Sequence, residues 1–94
     1  MKGWDERIAL NAQVVATVTA RRGEARLRLG DTDHVIDEGV VAALRTLFNV
    51  IGNGGSCVFY AAIGGDCTPV ATTASRTDAL IATMRAALAF SKGG

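Results

Sequence analysis

Large side chains are scarce in this 94-residue chain: one Trp, one Tyr and three Phe are its only aromatics. Hydrophobic residues still make up 49% of it, because sixteen of them are alanines. That length makes one small domain, 1–94, near the size at which a single core suffices without surplus. Mean hydropathy is positive, yet few residues can bury much area, so part of the apolar surface is expected to be covered by copies or by a partner. Charge of one sign is also missing. The formal net charge of +1 gives no reason to expect nucleic acid or a membrane surface as partner. No apolar run approaches the length needed to span a bilayer, and the start, Met1-Lys-Gly-Trp-Asp-Glu-Arg7, is too charged for a signal peptide.

Cysteine, proline and histidine are as sparse. Cys57 and Cys67 flank an apolar stretch ten positions apart, and with a strand between them their Cα atoms are expected to lie too far apart for a disulfide. Reduced, buried, structural thiols are the expectation for both. Pro69 is the one proline and His34 the one histidine.

The stretch from Val58 to Ile81 organises the chain. Residues 57–63 are β-branched and aromatic between glycine clusters, which reads as a buried central strand. Pro69 cannot extend it, so 65–75 reads as a long Thr/Ala loop, and Thr77 or Ser75 as the cap of a helix with Leu80 and Ile81 on its apolar face. That face continues through Met84 and Leu88 over about 77–90. Alternation in 85–90 makes a short closing strand the competitor, and alanine content favours helix.

Earlier in the chain, 1–7 reads as a loose arm and 8–20 as a strand whose broken alternation at Val14-Val15 suggests a bulge or burial on both faces. Arg21-Arg22-Gly23-Glu24 is a hairpin turn. The return strand 25–29 alternates, with Arg26 and Arg28 on one face and Leu27 and Leu29 on the other. A second turn follows at 31–34. Asp37 then caps a main helix over about 38–51, whose stripe is Val41, Leu44, Leu47, Phe48 and Ile51, closed by Gly52-Asn53-Gly54. Residues 91–94 read as a flexible tail.

Reactive constellations are thin. Asp31, Asp33, His34 and Asp37 would suit a divalent cation by composition, but turn-forming aspartates and a helix cap explain them equally. Gly52 to Gly55 and Gly64-Gly65 lack the strand-to-helix context of phosphate loops. Arg21, Arg22, Arg26 and Arg28 have no interleaved aromatics and read as a solvated hairpin face. A nucleophile at Ser56 or Cys57 would need His34 as base, and nothing in the sequence brings them together. No catalytic residue, cofactor or metal is expected.

Val35-Ile-Asp-Glu-Gly39, then Leu44 and Leu47, then Tyr60-Ala-Ala-Ile-Gly64, Thr68-Pro69 and Thr77-x-x-Leu80 form an ordered series of motifs. The series resembles a module of bacteriophage tail and tail-fibre proteins over roughly residues 35–85, with Asp37, Gly39, Leu44, Gly64, Thr68, Pro69, Thr77 and Leu80 as its positions. That family usually shows Gly-Thr-Gly after the isoleucine, where this chain has Gly64-Gly65-Asp66. The resemblance implies a virion structural protein of the tail or fibre attachment, found in the virion and in the host cytoplasm during assembly. Its partners would be copies of itself and other virion proteins. A capsid decoration protein, or a small metal-dependent binding domain built on Asp31 to Asp37, are the alternatives. The expected fold is α+β: a small, mostly antiparallel sheet packed by the 38–51 helix and the C-terminal helix.

Overall fold

The structure, a computed structural model, describes residues 3–30, 32–46, 49–50, 56–63 and 66–93, with side chains over 3–30, 32–42 and 69–93. The fold is α+β, and its first half is an antiparallel meander: β1 (Trp4–Ala9), β2 (Val15–Arg21), β3 (Glu24–Leu29) and β4 (Thr32–Val35), in that spatial order. The central hairpin forms as alternation predicts. Arg21 pairs with Glu24, leaving Arg22 and Gly23 as a two-residue loop, and Gly23 takes φ +89°. A side chain there would be strained, because Gly23 alone in this loop takes the left-handed backbone that glycine adopts readily. Leu27 and Leu29 are buried on one face, while Arg26 and Arg28 lie on the other.

Sequence patterning fails at both ends of the meander. Residues 4–7, expected as part of a loose arm, pair with β2 from Trp4↔Ala20 onward. The stretch 8–20 is two strands joined through residues 10–14, not one bulged strand. Asn11 organises that connection: its Oδ1 accepts from Gln13 N and Val14 N, both at 2.8 Å, in the local turn that Asn side chains favour. Its Nδ2 donates to Ala71 O at 2.6 Å. The second turn falls earlier than expected: Gly30 takes φ +58° and Thr32 already pairs with Leu29, so 32–35 is strand.

Asp37 caps α1 (Glu38–Thr46), accepting from Val40 N at 2.8 Å. This helix is shorter than the expected 38–51, because residues 49–50 form β5 (Asn49–Val50). Val41 is buried as its stripe predicts; the side chains of Leu44, Leu47, Phe48 and Ile51, and the Gly52-Asn53-Gly54 cap, lie outside the described residues. β6 (Ser56–Ile63) is the expected central strand. β7 (Asp66–Thr73) replaces the expected loop and pairs with β6 from Ile63↔Asp66 to Ser56↔Thr73. Pro69 sits within β7, opposite Tyr60, which is tolerated because β7 edges the three-stranded sheet β5-β6-β7. Two sheets therefore stand where one was expected. In β6 and β7, Cys57 faces Thr72 while Cys67 faces Ala62. That offset of about five residues, near 3.4 Å each, is about 17 Å along the strands, beyond the reach of a disulfide.

α2 (Ala74–Ser91) is the main helix, longer than α1, and it lies across β1, β2 and β3. Its cap is Thr73, whose Oγ1 accepts from Arg76 N at 3.2 Å, not Ser75 or Thr77. Thr77 is buried one turn in, and its hydroxyl donates to Thr73 O at 3.2 Å. Helix continues through 85–90, where the short strand was the competitor. Leu80, Ile81, Met84 and Ala87 meet Ala16, Val18, Ala20, Ala25, Leu27 and Leu29 in one core, and Leu10, Ile36, Val41 and Val70 complete it. Small alanines on both sides let the helix lie close to the sheet, which is how a chain short of large side chains fills its interior. Residues 91–93, expected as tail, are tied down: Ser91 is buried, its carbonyl accepts from Gly23 N at 2.7 Å, and Lys92 Nζ reaches Glu38 Oε1 at 2.7 Å.

Candidate assembly surface

With α2 on one face, the other face of the four-stranded sheet is open among the described residues. Strand alternation places Asp5, Arg7, Thr17, Thr19, Arg21, Glu24, Arg26, Arg28, Asp33 and Val35 there. Charges on it are interleaved in sign. Glu24 Oε1 accepts from Arg26 Nε at 3.0 Å and from Arg21 Nη2 at 3.3 Å, and Arg26 Nη1 stands 3.4 Å from Asp33 Oδ2. The hydrogen bond from Arg26 is the main cause holding the Glu24 carboxyl below its ordinary pKa, and the same bond raises Arg26. Arg28 Nε donates to Gly30 O at 3.2 Å. Two of the four arginines singled out in sequence are thus neutralised by neighbouring carboxylates, in keeping with a solvated hairpin face.

The edges of this sheet are β1 and the four-residue β4. Because β2 and β3 are internal, the longer of the two edges is Trp4–Ala9. On the helix face of β1, Trp4 and Ile8 pack half-buried against the core, with Glu6 exposed between them. Asp5 and Arg7 are exposed on the opposite face. Sequence reasoning missed this element: three consecutive charged residues, Asp5-Glu6-Arg7, hide the alternation of Trp4 and Ile8. Three charges in a row within a strand are affordable only at an edge, where half the neighbours are water.

The motif positions are not gathered into one site. Asp37 and Gly39 start α1, and with Val35, Ile36, Leu88 and Lys92 they line a groove of about 830 Å³. Lys92, by its hydrogen bond, holds the Glu38 carboxyl at the rim of this groove below its ordinary pKa. Thr77 and Leu80 are core residues under α2. Thr68 and Pro69 lie on β7, Leu44 belongs to α1 with its side chain outside the described residues, and Gly64 lies outside them altogether.

The aspartate cluster is spread out. Asp33 faces Arg28 across the open face, His34 faces Leu27 on the helix side, and Asp37 is occupied at the helix start; Asp31 lies outside the described residues. Among the described residues no three His, Cys, Asp or Glu side chains form a set able to hold a metal ion. Ser56 and Cys57 belong to β6 and His34 to β4, in different sheets. Among the described residues no helix is long and apolar enough to cross a membrane. No known protein family, curated protein or solved structure matches this chain.

Proposed function

We propose that this chain works by assembly, as a structural component of a bacteriophage particle in the tail or its fibre attachment. The observation that carries the assembly reading is the edge β1, six residues of unbroken strand that, among the described residues, pair on one side only. An edge of that length offers a row of backbone donors and acceptors to another chain. Beside it, the outward side of α2 carries Ala79, Ala82, Ala86 and Ala89, all exposed, with Phe90 exposed next to them. Small side chains at that spacing let another backbone approach closely. The phage setting comes from the resemblance across roughly residues 35–85.

Mass spectrometry and immunogold labelling of purified particles, from a phage whose genome encodes this chain, test the proposal. Stoichiometric presence at the tail or fibre base is the expected result. Absence from the particle, with no binding of the purified chain to isolated tails or capsids, overturns it.

A further inference from the structure

We infer that β1 is a self-recognition edge: two copies join by antiparallel pairing of residues 3–9 around a two-fold axis at Glu6. The inference rests on the assembly reading and names the first partner as a second copy of this chain. Four strands from each copy then form one continuous sheet of eight, with both α2 helices on the same face.

Length and continuity select β1 among the edges. β4 is four residues long, β5 is two, and β7 carries Pro69, each a feature that discourages strand addition. β1 has neither proline nor bulge, and its register with β2 runs without interruption from Trp4↔Ala20 to Ala9↔Val15. Once two copies meet there, only short or proline-bearing edges remain outward among the described strands. Growth therefore stops at the dimer.

Symmetry then selects the register. A two-fold axis perpendicular to the sheet requires facing residues to share a face, so the axis must pass through a residue pair on one strand position. Centred on Glu6, the pairing sets Asp5 against the partner's Arg7 on the open face, twice. On the helix face it sets Trp4 against the partner's Ile8, also twice, and covers the half of each that the core leaves exposed. Opposite charges and aromatic–β-branched pairs are both favourable across antiparallel strands. Centring on Arg7 instead makes Arg7 face itself and sets Glu6 against Ile8. Centring on Asp5 makes Asp5 face itself and sets Trp4 against Glu6. The Glu6 register has one unfavourable meeting, Glu6 with the partner's Glu6. An inward charge on an edge strand also discourages indiscriminate pairing.

Sedimentation velocity on the full chain, across a concentration series, reads the outcome. The wild type should move from monomer to twice the mass. Asp5→Arg and Arg7→Asp should each weaken association by about tenfold or more, since each turns two attractive pairs into two repulsive ones. The double variant Asp5→Arg/Arg7→Asp should restore the dimer. Both residues are exposed on the open face, so unchanged melting curves separate lost pairing from lost folding. A strictly monomeric wild type, association indifferent to either single variant, or a double variant that stays monomeric would overturn the inference. A monomer that is still found in purified particles defeats only the β1 pairing, and a β1 dimer absent from them defeats only the phage reading.

Discussion

Replacing Thr72 by valine should stabilise this protein. Thr72 lies on β7 at 7% exposure, and its Oγ1 is buried with no hydrogen-bond partner among the described residues. A hydroxyl in that position costs about 1–3 kcal/mol in folded proteins, because water is given up and nothing replaces it. Valine has nearly the same shape, keeps the β-branch that suits a strand, and puts a methyl where the oxygen was. The expected gain is about 1 kcal/mol, which for a domain of this size raises Tm by about 4–8 °C. Thr72→Ser separates the two parts of the side chain. It keeps the orphan hydroxyl and deletes the methyl, so it should fall below the wild type by about 1 kcal/mol. Thr77 supplies the contrast, since it is fully buried but donates to Thr73 O. Thr77→Val should therefore lose about 0.5–1.5 kcal/mol where Thr72→Val gains. Urea titration of the variants with a common m-value gives the order. If Thr72→Val melts below the wild type, that hydroxyl has a partner and the reasoning is wrong.

Three further outcomes are expected. Leu27→Ala, at a position with no exposed area between Val18 and His34, should cost about 2–5 kcal/mol and lower Tm by about 10 °C or more, while Arg28→Ala should stay within about 0.5 kcal/mol. Thr73→Ala should cost about 1 kcal/mol by thermal melting, and Ser75→Ala much less, because Thr73 makes the cap bond. Glu24 and Glu38 have folded pKa values depressed below 4.5, so the stability they supply is full above that unfolded value and is lost as pH falls through the lower folded ones. Melting at a series of pH values should show Glu24→Gln removing part of that acid-side slope, and added salt should shrink it in the wild type.

How legible each element was depended on how far its neighbours constrain it. The hairpin from β2 to β3 is internal to the sheet, so one face of it must be apolar, and Leu27 and Leu29 announce it. The edges escape that constraint. β1 can carry Asp5, Glu6 and Arg7 in a row, and β7 can carry Pro69, so each reads as an arm or a loop while forming a strand. The α2 start offered three hydroxyls within five residues, and the choice of Thr73 was made by the end of β7 rather than by the local sequence. Asp37 was recognisable as a cap because an aspartate followed by glutamate and an apolar run has few other uses. The surface was the least legible part: its defining residues, Trp4 and Ile8 with Asp5 and Arg7, acquire meaning only once β2 fixes which of them share a face.

The bond from Gly23 N to Ser91 O joins the tip of the central hairpin to the last turn of α2. It marks a problem of timing during synthesis. Every strand of the meander has been made by residue 35, but the helix that covers its apolar side is complete only at residue 91. At about 5–20 residues per second, that leaves roughly 3–11 s in which Val18, Leu27 and Leu29 have nothing to lie against. A nascent meander in that interval is exposed to chaperones, to proteases and to other nascent copies, and it cannot close by itself. Folding of this chain is therefore gated by its C-terminal fifth, and any truncation before α2 should yield an insoluble product instead of a smaller folded one.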